Sequence, residues 1–202
     1  MKNSICNKKQ LIENTFKLYE LYGDKGYIGE EVTQLEHAIQ CAKLAEVDNE
    51  YNKPEIILGA FLHDIGHLLI YDKMENNNNN YKCMGDYGVL NHETAGSDYL
   101  YHNKFTDEIC SIVKNHINTK RYLITKNKDY YNNLSEGSKQ TFKYQNGFMS
   151  DREIINFEND PLFKIHLKIR EWDDKAKDTS IKYENIKNII NYYKNMAIEL
   201  LI

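Results

Sequence analysis

Apolar side chains recur every three to four residues along most of the chain, a spacing that places them on one face of an α-helix. No segment shows the strict apolar–polar alternation of a half-buried strand. The pattern therefore predicts an all-α fold, with a less regular region over residues 121–160. The predicted helices span residues 9–22, 33–46, 54–63, 92–103, 106–118, 161–173 and 182–201.

Two of these helices begin with recognisable local signals. Pro54 suits a first helical turn, where its missing N–H costs no hydrogen bond. Thr106 is a predicted N-cap, and Asp107 and Glu108 follow it beside the positive end of the helix dipole. The last segment, residues 182–201, carries a continuous apolar stripe that we interpret as core packing.

The length of 202 residues indicates a single domain, residues 1–202, with enough chain to bury a large core. The asparagine run Asn76–Asn80 has nothing with which to pack a core, and we predict a solvated loop there. The formal net charge of −4 argues against a nucleic-acid-binding protein, which would normally carry a basic face.

The chain shows no predicted membrane span and no predicted secretory signal. The longest apolar stretch, Ile56–Ile70, is too short and is interrupted by His63, Asp64 and His67. No apolar segment follows the lysines near the N-terminus. The four cysteines form no C-x-x-C pair, so we expect reduced thiols. Together these features predict a cytoplasmic enzyme or binding protein.

The adjacent pair His63-Asp64, within the motif His63-Asp64-Ile65-Gly66-His67, is the most informative chemical feature. On a helix, neighbouring side chains diverge by about 100°, so an imidazole and a carboxylate can reach into one pocket from adjacent directions. A carboxylate has two oxygens and can hold two cations. The pair is therefore a suitable nucleus for a centre of one or two metals.

Other candidate ligands stand on or beside predicted helices. A single histidine on a half-apolar helix is usually a hydrogen-bonded structural residue, and we place His102 and His166 in that class. Histidines together with carboxylates suit iron, manganese, zinc, cobalt or nickel, and the ligand types alone do not choose among them. The full candidate set is His37, His63, Asp64, His92, His116 and Asp173.

The order His37, His63-Asp64, Asp173 resembles the HD-domain superfamily of metal-dependent phosphohydrolases, which is named for its His-Asp pair. The addition of His92 and His116 resembles the branch with two metals. The resemblance implies a helical bundle around a dinuclear site, with Asp64 bridging the two metals. One metal would bind His37, His63, Asp64 and Asp173, and the other would bind Asp64, His92 and His116.

Residues outside this ligand set resemble the diiron oxygenases of phosphonate catabolism, which cleave the carbon–phosphorus bond of 2-amino-1-hydroxyethylphosphonate. The likeness covers roughly residues 20–178 and is most specific over residues 27–37 and 170–177. It implies that Tyr27 holds an iron position until substrate arrives and that Glu30 contacts the substrate amino group. It also implies phosphonate binding by His67, Lys120, Ser138 and Arg170. Asp173 is chosen over Asp174 on its offsets from Arg170 and Lys177.

The resemblance thus implies an oxygenase with two iron ions, mixed-valent Fe(II)/Fe(III), that acts on a small 1-hydroxy-2-aminoethylphosphonate-type substrate with O2. Relatives that oxidise trimethylated aminophosphonates leave the amino substituent open. The main alternative is a phosphohydrolase with manganese, magnesium or another divalent metal, acting on a nucleotide or small phosphate ester. A non-catalytic sensor is a further alternative, but it would be marked by lost ligands, and all six are present.

Overall fold

A computed structural model of the protein describes residues 2–27, 29–75, 82–85 and 88–202. Within this part of the chain there are helices and two isolated β-bridges but no strand, which confirms the predicted all-α fold. The predicted loop Asn76–Asn80 lies outside the described residues. The helices are α1 (Lys2–Tyr22), α2 (Gln34–Glu46), α3 (Pro54–Leu62), α4 (Ile65–Glu75), α5 (His92–His102), α6 (Asp107–Lys126), α7 (Lys128–Asn133), α8 (Glu136–Phe142), α9 (Asp151–Glu158), α10 (Phe163–Lys175) and α11 (Ile186–Leu201).

The region predicted to be less regular, residues 121–160, contains the end of α6 and the three short helices α7, α8 and α9. Each of these helices has only six to eight residues, about two turns, so a hydrophobic period is hard to detect in them. Their signals are instead the N-caps Asn127, Ser135 and Ser150, whose side chains accept hydrogen bonds from backbone amides of the first turn.

The His63-Asp64 pair lies at a break between two helices, directly after the end of the helix predicted over residues 54–63. α3 ends at Leu62, and α4 begins at Ile65. His63 keeps helical dihedrals (φ −56°, ψ −33°) directly after the last residue of α3. Both residues are buried, and the break lets them face the same interior space.

The core is centred on Phe61 of α3, which is fully buried. Its ring lies 4.6 Å from the ring of Tyr19 and 4.6 Å from the ring of Tyr193, measured between centroids. The Tyr19 hydroxyl donates a hydrogen bond of 2.9 Å to the Phe61 carbonyl oxygen. The first and last helices are therefore fastened to α3, and Tyr193 lies on the apolar stripe predicted for the C-terminal segment. No helix in the described ranges is both long and apolar enough to cross a bilayer.

Gly66 allows α4 to touch the start of α5. A Cβ atom added at Gly66 would lie 1.9 Å from the carbonyl oxygen of His92, a backbone atom that cannot rotate away. Gly96 on α5 faces the same contact, since its added Cβ would lie 3.1 Å from the amide nitrogen of Gly66. Two glycines thus bring the helices close enough to place His92 beside the His63-Asp64 pair.

We predict that Gly66→Ala lowers the free energy of unfolding by about 1–3 kcal/mol, because the new methyl group must push the two helices apart. The control is Gly26→Ala, where an added Cβ meets no atom within 4 Å. Urea unfolding of both variants measures the difference. Equal stability of the two variants would contradict the close approach.

Candidate metal centre and adjoining cavity

Four buried histidines point their Nε2 atoms at one another from different parts of the fold. Three of them fix the ring by a contact between Nδ1 and the carbonyl oxygen three residues earlier. The fourth, His37, contacts the carbonyl oxygen of Ala176 just beyond α10. The Nδ1–O distances are 2.8 Å for His37–Ala176, 2.8 Å for His63–Ala60, 3.0 Å for His92–Val89 and 2.6 Å for His116–Val113.

These contacts decide the chemistry of the other ring nitrogen. A carbonyl oxygen can only accept, so each Nδ1 carries a proton and donates it. A neutral imidazole then has a lone pair on Nε2, which is the form in which histidine binds a metal. All four Nε2 atoms face inward, so each ring can offer this lone pair to a metal once its Nε2 is unprotonated.

Asp64 stands between two pairs of these nitrogen atoms. Its Oδ2 lies 3.2 Å from His63 Nε2 and 3.7 Å from His37 Nε2. Its Oδ1 lies 3.4 Å from His92 Nε2 and 3.3 Å from His116 Nε2. One carboxylate therefore faces two separate groups of donors, one with each oxygen.

Asp173 completes the first group, since its Oδ1 lies 3.4 Å from His37 Nε2. The neighbouring Asp174 instead pairs with Arg170 and Tyr130. Of the two adjacent aspartates, only Asp173 faces the histidines, as the sequence offsets suggested.

The donor set fits metal ions. The Nε2 atoms of His37 and His63 are 3.2 Å apart, and those of His92 and His116 are 3.0 Å apart. At the His92–His116 pair, two neutral imidazoles that both donate from Nδ1 have no proton to share between their Nε2 atoms. By contrast, two ligand atoms at about 2.1 Å from one ion and at right angles lie about 3.0 Å apart. Buried groups that could hold a metal occur at Asp64–His92–His116 and at His37–Cys41–His63.

The charge of the centre also favours cations. Burial opposes ionisation of Asp64, but the nearby His63 and hydrogen bonds from the histidines outweigh it and hold the pKa of Asp64 well below its ordinary value. Burial likewise opposes ionisation of Asp173, and Arg170 outweighs it, so its pKa is also low. The Asp64 and Asp173 carboxylates raise the pKa of His63 to about 9 against the effect of burial. A cation bound here would displace that proton.

Sequence analysis missed Cys41, which lies one helical turn after His37 on α2. Its sulfur is buried and lies 3.7 Å from His37 Nε2. Burial and the nearby Asp173 raise the pKa of the thiol well above its ordinary value, so Cys41 is a neutral neighbour of the centre. The i, i+4 spacing from His37 was the only signal of this position.

Tyr27 covers the first donor group from the loop before α2. Its ring stacks on that of His37 with centroids 3.9 Å apart, and its hydroxyl lies 3.5 Å from Asp173 Oδ1. Burial, together with the charges of Asp64 and Asp173, raises the pKa of Tyr27 well above its ordinary value. The phenol therefore stays protonated beside the carboxylates.

A cavity of about 450 Å³, including its opening to solvent, adjoins the centre. Every residue predicted from sequence outside the ligand set lines it: Tyr27, Glu30, His67, Lys120, Ser138 and Arg170. Asp64, His92, His116 and Asp173 form part of the same wall. The predicted substrate residues and the predicted ligands therefore meet in one place, whereas His102 and His166 do not line this cavity.

Lys120 is buried, and among the described residues only Thr141 accepts a hydrogen bond from it, at 2.9 Å. Burial and the nearby Arg170 lower the pKa of Lys120 to about 7. The ring of His67 stacks on that of His92 with centroids 3.9 Å apart. Burial and His92 lower the pKa of His67 well below its ordinary value, so its imidazole is neutral.

Arg170 makes more contacts within the protein than the sequence suggested. Its guanidinium binds Asp173 at 2.7 Å and also pairs with Asp174, and its Nε donates to the Tyr130 hydroxyl at 2.8 Å. Tyr130 in turn donates to Asp174 at 2.5 Å. Arg170 thus orients a candidate metal ligand as well as facing the cavity.

The structure adds further residues to this cavity that the sequence did not identify as site residues. Thr141 lies one turn after Ser138 on α8, and Gln145 follows that helix. Lys177, just beyond α10, had served only as a reference for the choice of Asp173. Short helices and a helix end carry these residues, so no hydrophobic period pointed to them.

Comparison with known proteins identifies the fold family. The family model of the HD domain matches residues 35–142. An uncharacterised protein of Acanthamoeba polyphaga mimivirus is 47% identical over 96% of this chain and 85% of its own length.

Two relatives have named activities. The hydroxymethylphosphonate dioxygenase of Gimesia maris is 37% identical over 87% of this chain and 84% of its own length. The glycine-betaine-forming [1-hydroxy-2-(trimethylamino)ethyl]phosphonate dioxygenase of Leisingera caerulea is 35% identical over 86% of this chain and 84% of its own length. These findings confirm the resemblance read from the motifs: the chain belongs to the HD-domain superfamily, and within it to the family of the phosphonate dioxygenases.

Proposed function

We propose that this protein is an iron-dependent oxygenase that uses O2 to cleave the carbon–phosphorus bond of a small 1-hydroxyphosphonate. The observation that carries the proposal is a cluster of four histidines and two aspartates that opens directly onto a cavity lined by lysine and arginine. Two relatives with named phosphonate dioxygenase activity support it. The four cysteines are all free thiols, in keeping with a cytoplasmic location.

The proposed reaction balances without a further reductant. A 1-hydroxyphosphonate R–CH(OH)–PO3²⁻ and O2 give the carboxylate R–COO⁻, hydrogen phosphate and one proton. The carbon–phosphorus and carbon–hydrogen bonds break, carbon is oxidised to the carboxylate, and O2 takes up the four electrons. The sequence-predicted substrate, 2-amino-1-hydroxyethylphosphonate, would give glycine.

The chain provides two places for iron. His37, His63 and Asp173 would hold one ion with Asp64 Oδ2, and His92 and His116 would hold the other with Asp64 Oδ1. Bound iron supplies the one-electron exchange with O2 that no side chain can provide. The backbone carbonyls that hold each Nδ1 proton fix the orientation of the four rings for this task.

The cavity residues would bind and orient the phosphonate. A dianion is best recognised by ammonium, guanidinium and neutral donors that converge on it. Lys120 has N–H groups without a partner among the described residues, and Ser138 lines the same cavity. His67 offers a neutral imidazole, and Arg170 adds positive charge next to Asp173.

Tyr27 would shield the first donor group until substrate arrives. Its protonated hydroxyl already lies near Asp173, and its ring is held against His37. A substrate that enters beside Asp173 would have to move this hydroxyl. Water is excluded from the same position while Tyr27 occupies it.

The test is anaerobic loading with Fe(II), followed by exposure to O2 in the presence of hydroxymethylphosphonate and other 1-hydroxyphosphonates. We expect O2 uptake and phosphate release in equal amounts. Phosphate release from a phosphate ester without O2, strongest with manganese or magnesium, would instead establish the phosphohydrolase alternative.

Asp64→Ala should abolish binding of both metal ions, because this carboxylate faces both donor groups. His116→Ala should remove only the ion of its own group, since His37, His63 and Asp173 remain. Inductively coupled plasma mass spectrometry of the iron-loaded variants measures the stoichiometry, and circular dichroism checks the fold. Retention of two ions by the Asp64 variant would refute the bridging role.

Phosphonate affinity should fall as the pH rises above about 7. Lys120 must be charged to bind the anion, and its pKa in the ligand-free protein is about 7. The protonated fraction drops roughly tenfold between pH 6 and pH 8. Asp64 and Asp173 favour the charged lysine, whereas burial, Arg170 and Lys177 disfavour it.

Calorimetry of hydroxymethylphosphonate binding, under anaerobic conditions, compares the wild type with Lys120→Met. The ratio of their affinities cancels the ionisation of the ligand itself, and we expect it to shrink about tenfold over this range. Lys114→Met, an exposed lysine on the same helix, is the control. A ratio independent of pH would contradict the assignment.

A further inference from the structure

Tyr130, on the short helix α7, contacts the helix that carries the candidate ligand Asp173. Its hydroxyl accepts a hydrogen bond of 2.8 Å from Arg170 Nε and donates one of 2.5 Å to Asp174 Oδ2. Burial raises the pKa of Tyr130 above its ordinary value, so the phenol stays protonated and keeps this donor. One oxygen atom therefore joins α7 to two charged residues of α10, which lie 40 and 44 positions later in the sequence.

The guanidinium of Arg170 is held by three partners. Its Nε donates to Tyr130, one terminal nitrogen pairs with Asp174, and the other donates to Asp173 Oδ2 at 2.7 Å. A guanidinium is planar and rigid, so the contacts at Nε and at the first terminal nitrogen fix the direction of the second. These contacts use three of its five N–H groups and leave two without a partner among the described residues, which could bind an anion in the cavity.

The contact with Arg170 also orients Asp173. The guanidinium binds Oδ2 of this carboxylate, and Oδ1 is left facing His37 Nε2 at 3.4 Å. A carboxylate that is bound through one oxygen rotates less freely, so its other oxygen keeps a fixed place in the first donor group. The series of contacts from Tyr130 to Arg170 to Asp173 therefore ends at the position of a candidate metal ligand.

Arg170 and Asp173 are shielded from solvent, with exposures of 2% and 3%, so bulk water does not readily replace these contacts. In the part of the chain that the structure describes, the Tyr130 hydroxyl is the only acceptor for Arg170 Nε. Its removal would leave a buried donor of a charged group unpaired, which is costly. The guanidinium would then shift toward another acceptor, and its hold on Asp173 would weaken.

We propose that Tyr130 is a positioning residue for the first metal ion, the one assigned to the donor group with Asp173, and that it acts through Arg170. This inference rests on the metal centre of the proposed function. Partners of this kind around metal sites typically change metal affinity by about 10- to 100-fold. The second donor group, with His92 and His116, has no hydrogen bond or ion pair with Tyr130 or Arg170 among the described residues. The effect should therefore be confined to the first ion.

The test measures Fe(II) binding to one donor group at a time. His116→Ala leaves only the first group complete, and His37→Ala leaves only the second. Addition of Tyr130→Phe to the His116→Ala protein should weaken Fe(II) binding by roughly tenfold or more. Its addition to the His37→Ala protein should leave the affinity within about twofold. Anaerobic competition with a chromogenic iron chelator gives each affinity.

Tyr131→Phe is the matched control, because it removes the same hydroxyl group from the next residue of α7. The ring of Tyr131 packs on that of Phe142 with centroids 6.0 Å apart, and its hydroxyl makes no hydrogen bond to any described residue. In the His116→Ala protein, this variant should leave the Fe(II) affinity within about twofold.

Asp174→Asn tests the route through the guanidinium. Asp174 and Tyr130 both hold Arg170, so their contributions to Fe(II) binding should not be independent. In the His116→Ala protein, the factor by which Asp174→Asn changes Fe(II) affinity should differ by about threefold or more with and without Tyr130→Phe. Equal factors would overturn the route through Arg170.

The results separate a failed positioning role from a failed metal centre. If Tyr130→Phe leaves the affinity of the His116→Ala protein unchanged, the proposal is overturned and the two-iron centre stands. An equal loss in both backgrounds also overturns it, because it would show a general effect on the fold, which circular dichroism checks in each variant. The wild type is titrated first: if it binds no iron, the proposed function fails and the role of Tyr130 fails with it.

Discussion

The structure depends on four hydrogen bonds from imidazole Nδ1 atoms to backbone carbonyls. Each bond keeps a proton on Nδ1 and turns Nε2 toward Asp64. A bound cation would attract these inward-facing nitrogen and oxygen atoms, and in a buried space such attraction is weakly screened. The backbone contacts therefore hold the donor atoms in positions suited to cations, and the helices place each carbonyl where its histidine ring needs it.

Two local features let the helices reach these positions. The break between α3 and α4 leaves His63 with helical dihedrals and places His63 and Asp64 between the two helices. Gly66 then permits direct contact with the His92 backbone, which no larger residue allows. The His-Asp-Ile-Gly-His motif thus allows close helix packing and also provides two candidate metal ligands. Phe61, only two residues earlier, ties the same segment to the first and last helices.

Sequence patterns predicted the long helices well because each buries one face against a common core, and burial of that kind leaves a 3.6-residue period. They predicted α6 only in part: the expected end was residue 118, and the helix continues to Lys126, past Lys120 and Arg121. Both cations are buried, and buried polar residues break the period that marks a helix face. For the same reason, the sequence pointed to Arg170 but not to its partners Tyr130 and Asp174. Such contacts arise from tertiary structure and leave no trace in spacing.

The three cationic side chains of the cavity differ in the groups that compensate their charge, and this difference gives them different roles in the site. Arg170 is balanced by Asp173 and Asp174, so its field mainly stabilises the ionised ligand carboxylate. Lys177 is balanced by Glu30. Lys120 has a neutral partner, Thr141, and burial lowers its pKa to about 7. A buried charge without a counter-ion is costly, and an incoming dianion removes that cost. Lys120 therefore contributes most of the favourable free energy of anion binding, whereas the two paired cations line the cavity around it.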